Sequence, residues 1–179
     1  SLVSNQSTAV AAQGPLDLAV TNGAVVTGGG GFLLQAFDST FGPQPTVVNF
    51  NASNGSVLTG DGTAEALSTA NINLTTGSQW TGAAYSLTNV TVDPTSIWNV
   101  TASSILTQQL TNAGLVAFTP PVGGAFKTVT ATNYVGANGV LGLNTFLGTD
   151  GSPSDKLIIN GGAATGSSAL RVTNAGGPG

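Results

Sequence analysis

One short pattern returns along the chain at coil-like spacing: NGAVVTG from Asn22, NGSVLTG from Asn54, TGSQWTG from Thr76, PTSIWNVT from Pro94 and NAGLVAFT from Asn112. Each copy reads as a turn followed by one strand. Setting the central apolar positions Val26, Leu58, Trp80, Trp98 and Val116 in one register gives steps of 32, 22, 18 and 18 residues. Periods of about 20 residues mark stacked coils. A coil that short cannot close a core of its own, so its apolar side chains must be covered by the coils above and below. The expected architecture is an all-β solenoid, with a β-sandwich of ordinary hairpins as the competing arrangement.

Composition favours the stack. Only 6% of the 179 residues are charged, against 40% hydrophobic, whereas about a quarter of a soluble domain is normally charged. In a parallel stack, like charges in successive coils would lie about 4.8 Å apart and repel, while Asn, Thr and Ser can hydrogen-bond along the ladder. The 26 glycines and 8 prolines would also suit a disordered chain. Alternating runs such as Phe126–Ala131 and Lys156–Asn160 argue for half-buried strands instead.

The formal net charge is −4, and the only cations among the side chains are Lys127, Lys156 and Arg171. Nucleic-acid binding needs clustered cations, so that partner class is set aside. No segment approaches the roughly 18–20 unbroken apolar residues that span a bilayer, so direct membrane insertion is not expected. Residues 1–6 carry no signal-peptide pattern, and the chain reads as a piece of a longer protein. Cysteine is absent, which in an exported protein means stability from stacked sheet rather than from disulfides.

Two parts are expected, β-solenoid coils over 1–95 and a differently textured segment over 96–179. In the first, strands are expected near Leu16–Thr21, Ala24–Thr27, Thr46–Phe50, Val57–Thr59, Ile72–Leu74 and Ser86–Val92. Gly28–Gly31 and Phe41–Pro45 are expected to interrupt them, the second as a longer loop that accounts for the step of 32. Gly62–Thr69 could form a helical turn. In the second part, Pro120–Gly124 breaks the sheet before apolar strands at Phe126–Ala131, Val140–Asn144, Lys156–Asn160 and Leu170–Asn174. Asn138-Gly139 and Asn160-Gly161 have the chemistry of tight hairpin turns, which predicts an antiparallel, hairpin-containing cap over the end of the stack.

The ordered series Ser96-Ile97-Trp98, Gly124–Val129, Gly139–Thr145, Ser154–Gly161, Ala164-Thr165-Gly166 and Leu170–Asn174 resembles the C-terminal passenger region of pertactin-like (AIDA-type) autotransporters, over about Thr95–Gly179. The resemblance implies a secreted bacterial passenger, folded as a right-handed parallel β-helix, whose last segment is an autochaperone for folding and export. It implies a place on the bacterial cell surface or outside the cell, with the upstream passenger and an outer-membrane barrel as partners. The chain would form the stalk of an adhesin or virulence factor, with a host surface molecule or self-association as further partners. Trp98, Leu110, Phe118, Phe126, Val129, Tyr134, Leu141, Leu143, Leu157, Ile159, Leu170 and Val172 are the candidate folding nucleus.

Histidine and cysteine are both missing, which removes Ser-His-Asp and Cys-His nucleophiles and the common zinc sites. The carboxylates Asp17, Asp38, Asp61, Glu65, Asp93, Asp150 and Asp155 are scattered beside Gly, Pro or Ser, as turn residues are. The reading is therefore non-enzymatic, with no catalytic, metal-binding or cofactor-binding residue assigned. A polysaccharide-active enzyme would need two of these acids facing each other across a groove, and an adhesive or self-associating module is the other alternative. Asp150–Asp155 lacks the spacing of a calcium loop. Trp80 and Trp98 read as stacked structural residues rather than a sugar platform, and the six Asn-x-Ser/Thr sequons, at Asn5, Asn51, Asn54, Asn73, Asn89 and Asn99, as products of composition.

Overall fold

The computed structural model describes residues 1–39 and 44–179, and these are all-β. The strands are β1 (Leu2–Ser4), β2 (Val10–Ala12), β3 (Leu16–Val20), β4 (Val25–Ala36), β5 (Val47–Ala52), β6 (Val57–Ala64), β7 (Thr69–Leu74) and β8 (Gln79–Gly82). They continue as β9 (Ala84–Val92), β10 (Ile97–Val100), β11 (Ser104–Asn112), β12 (Leu115–Phe118), β13 (Thr128–Thr145), β14 (Lys156–Ile159) and β15 (Ala164–Asn174). Each described pairing between these strands is parallel. That excludes the hairpin sandwich, whose neighbours run antiparallel.

The register expected from the repeat is the register observed: Val26 pairs Leu58, Leu58 pairs Trp80, Trp80 pairs Trp98, and Trp98 pairs Val116. The column continues through Leu141 to Leu170. A second column runs Leu18, Phe50, Ile72, Val90, Leu110, Tyr134 and Ala164. A third ladder joins β2, the ends of β4 and β6, the starts of β9, β11 and β13, and finally β14. The long strands bend from one ladder into the next, which merges all fifteen into one hydrogen-bonded sheet.

Alternation explains why these residues form strands. In β7, Ala70, Ile72 and Leu74 are buried while Thr69, Asn71 and Asn73 face outward, the period of two that a one-sided strand requires. Trp80 and Trp98 lie inside with no exposed surface, stacked at 4.9 Å between ring centroids and 6° between planes. Their indole N–H groups donate to the carbonyls of Gly60 and Gly82, so a large apolar body is buried without an orphaned polar atom.

Three turns between consecutive strands are built on pairs of left-handed residues: Asn22-Gly23, Asn54-Gly55 and Thr76-Gly77 all have positive φ. Each turn is held by the next coil. Asn54 N–H donates to Thr76 Oγ1, Thr76 N–H to Asp93 Oδ2, and Gly77 N–H to Thr95 Oγ1. Burial pushes the Asp93 carboxyl up, but bonds from Thr76, Ser96 and Thr95 outweigh it and hold it below the usual carboxylate range. A depressed carboxyl contributes stability that is present above its unfolded value and lost as pH falls through its folded value. The expected result is a chain whose urea midpoint drops as pH is lowered from about 5 to about 3, with D93N showing a smaller drop than the parent.

Three expectations are corrected. Asn138-Gly139 does not reverse the chain; it lies inside β13, and of the two only Asn138 has positive φ, at 65°. A type I′ hairpin needs both, and a single left-handed residue instead turns the strand from its pairing with β11 to its pairing with β12. Asn160-Gly161 likewise joins β14 and β15, both parallel to β13, with only Gly161 at positive φ. The hairpin cap is therefore absent at both places; an antiparallel bridge does occur at Thr145↔Ser154, around the loop between β13 and β14.

At Gly28–Gly31 the strand β4 continues, but its pairing with β6 is interrupted between Thr27 and Phe32, and Gly31 has φ 94°, so the expected interruption is seen in the ladder. A Cβ on Gly29 would sit 1.9 Å from the Ser4 carbonyl oxygen, so glycine is there for close backbone approach. Gly62–Thr69 forms no helical turn: β6 extends to Ala64 because Gly62 and Thr63 pair with Ala84 and Tyr85. In the expected loop at Phe41–Pro45, residues Phe41, Gly42 and Pro43 lie outside the described residues. No described helix is long and apolar enough to cross a membrane.

Candidate templating site

The later strands are fastened by buried polar groups where β12, β13 and β14 meet. Asp155, only 2% exposed, stands just before β14. Its Oδ1 accepts the Lys127 backbone N–H at 2.7 Å; its Oδ2 accepts the Asn144 backbone N–H at 2.8 Å and Asn144 Nδ2 at 2.7 Å. Asn144 Nδ2 also reaches the carbonyls of Phe118 and Thr119, at 3.0 and 3.1 Å. The buried Lys127 donates from Nζ to the carbonyls of Thr119 and Pro120, at 2.7 and 3.2 Å.

The ends of three strands, β12, β13 and β14, are thus tied around one carboxylate. In a low-dielectric interior such a network is rigid when every member is bonded and costly when one is removed. Asp155 was expected only as a turn anchor. Neither the burial of Lys127 nor the part of Asn144 was legible, because a lone Lys and a lone Asn at strand ends normally signal exposure.

A second set lies on the adjoining face. Asn112 is fully buried; its Nδ2 donates to Tyr134 Oη at 3.3 Å and to the Val140 carbonyl at 3.2 Å, while Tyr134 Oη and Ser168 Oγ are 2.6 Å apart. Asn112 Oδ1 is buried without a partner. Gly139 makes room for it, since a Cβ there would lie 2.6 Å from that oxygen.

The twelve nucleus candidates divide into three groups. Trp98, Leu110, Phe118, Val129, Tyr134 and Leu141 are buried and belong to one core cluster. Leu143, Leu157 and Ile159 are partly buried against it, and Phe126 is half-buried beside Lys127. Leu170 and Val172 are 66% and 52% exposed. Their place in the register is that of inward residues, beneath Leu141 and Leu143, but β15 is the last strand of the ladder and no described coil covers them.

Four further carboxylates accept hydrogen bonds from other parts of the chain, Asp17 from a side-chain amide and the others from backbone and turn groups. Asp17 accepts from Asn49, Asp38 from Leu67 and Ser68, Asp61 from the Ala83 N–H, and Asp93 from Thr76 and Thr95. Among the described residues, no group of three or more Asp or Glu is placed to hold a metal ion.

No solved structure matches the chain. Residues 104–179 match the family described as Autochaperone Domain Type 1, a span that opens on the first residue of β11 and takes in both buried networks. Domains of that type act in folding and secretion and are not catalytic. From Ser104 onward, the chain is thus similar to the autochaperone domains of type 1, which is consistent with the autochaperone region of an autotransporter passenger.

Proposed function

We propose that the chain is the C-terminal segment of a secreted bacterial autotransporter passenger: a right-handed parallel β-helix whose last coils, without catalysing any reaction, promote folding and export of the rest. The supporting observation is the unbroken inward column from Val26 to Leu170, shared by the family-matched region and the coils before it. A nearly one-dimensional stack grows by nearest-neighbour interfaces. A segment that folds first presents a row of unpaired N–H and C=O groups on which the preceding coil pairs.

In this reading the fastened region around Asp155, Lys127 and Asn144, with the buried core of Trp98, Leu110, Phe118, Val129, Tyr134 and Leu141, is the nucleus. Folding free energy of about 5–15 kcal/mol for a domain biases transit where no nucleotide is available. The partners are the upstream passenger and an outer-membrane barrel. The mature stack is the stalk of a surface adhesin or virulence factor.

The test is display of the passenger, barrel included, on bacterial cells. A passenger carrying Leu110→Ala is expected to reach the surface at reduced level and to be cut rapidly by added protease. Normal display of a protease-resistant passenger, from a fragment shown to be destabilised, would remove the templating role.

A further inference from the structure

The outward face of the ladder formed by β3, β5, β7, β9, β11 and β13 carries a column of amides. Asp17, Asn49, Asn71, Asn89, Gln109 and Asn133 stand in register, one per coil. The three central side chains are chained in one direction. Asn89 Nδ2 donates to Asn71 Oδ1 at 2.8 Å, Asn71 Nδ2 to Asn49 Oδ1 at 2.9 Å, and Asn49 Nδ2 to Asp17 Oδ1 at 2.6 Å. The Gln109 backbone N–H closes the lower end on Asn89 Oδ1. Beside this column, Asn73 donates to Asn51, and Thr91 and Thr111 follow in register.

This surface is concave. A bulge in β11, where its pairing shifts between Leu106 and Gln109, leaves Gln108 outside the ladder, and Gln108 joins the lining of the depression. The resulting groove encloses about 350 Å³ and is lined by Asn, Gln and Thr alone. Each central amide spends one N–H and one lone pair on its neighbours, which fixes its orientation and leaves one of each for a ligand. Amides held in this way lose little freedom when a ligand binds. They repeat about every 4.8 Å along the stack, close to the length of one sugar ring in an extended glycan.

From these features we infer that the groove binds a neutral oligosaccharide laid along the stack, its hydroxyls pairing with successive amides. A hydroxyl both donates and accepts, as each free amide edge does. No Lys or Arg lines the groove, and Asp17 ends its upper column, so sulfated or sialylated glycans are disfavoured. The inference is independent of the export role, which rests on the buried side of the same coils.

The test is calorimetric and NMR titration of the 179-residue chain with hexasaccharides of β-1,4-glucose, β-1,4-N-acetylglucosamine and α-1,4-glucose, and with sialylated and heparin-derived oligosaccharides. At least one neutral sugar is expected to bind and to shift the side-chain amide signals of Asn71 and Asn89. The double variant Asn71→Ala/Asn89→Ala should weaken it by about tenfold or more, from two or more lost hydrogen bonds. Gln108→Ala, at an exposed position, should weaken it without lowering the melting temperature. The inference is overturned if no neutral sugar binds at millimolar concentration, if binding survives these substitutions, if anionic glycans bind more tightly, or if the substitutions abolish concentration-dependent self-association instead.

Discussion

Replacing Trp98 by Ala is expected to destabilise the chain by about 3–5 kcal/mol, the usual range for deleting a buried aromatic side chain. Trp98 has no exposed surface and sits in the column between Trp80 and Val116. The substitution opens a cavity at mid-stack, removes the partner of a parallel ring pair, and leaves the Gly82 carbonyl without its indole donor. These costs overlap and do not sum. Against the stability typical of one domain, the loss is a large share of the total. Because the position is central, the damage cannot be confined to a fraying end: the coils on either side lose their shared interface. Trp98→Phe keeps a ring but not the N–H and should cost about half as much. Urea unfolding followed by circular dichroism measures both, and a Trp98→Ala midpoint within error of the parent would contradict the internal stack.

Asp155→Ala is expected to cost about 3 kcal/mol, since it strips a buried acceptor from three N–H bonds at once. Asp155→Asn should be nearly as harmful. An amide nitrogen in place of one carboxylate oxygen would meet either the Lys127 N–H or the two Asn144 donors, donor against donor. The loss should also be local. Amide hydrogen exchange is expected to rise across β14, β15 and the flanks of β13, while β5 to β8 keep their protection. Uniform acceleration throughout the chain would mean that the buried carboxylate does not mark a separable unit.

The parts of the fold legible in the sequence were those set by periodicity. Five residues placed in register from a turn-strand repeat do pair in that register, because inward positions on a one-sided strand must be apolar in every coil. Turn direction was not legible. Asn-Gly is compatible with a reversal and with a corner: Asn54-Gly55, both at positive φ, joins β5 to β6 without pairing them, and Asn138-Gly139, with one, lies inside a continuous strand. Burial at the end of the stack was not legible either: Leu170 carries the pattern of a core residue, and pattern cannot say whether a coil lies beneath it. Nor were the buried networks. Asp155, Lys127, Asn144 and Asn112 are far apart in sequence and unremarkable singly, and only stacking brings their atoms together.

The direction of the inter-coil hydrogen bonds has a mechanical consequence. They lie along the stacking axis, so tension between the two termini loads them lengthwise, one rung at a time, rather than shearing many together. Such a body yields by peeling. The rung from Trp80 to Trp98 spans 18 residues and the one from Leu141 to Leu170 spans 29, so each rupture frees about 60 to 100 Å of slack. The short middle rungs carry the paired indoles, so peeling from either end would reach them after the longer outer rungs and would lengthen the chain in steps.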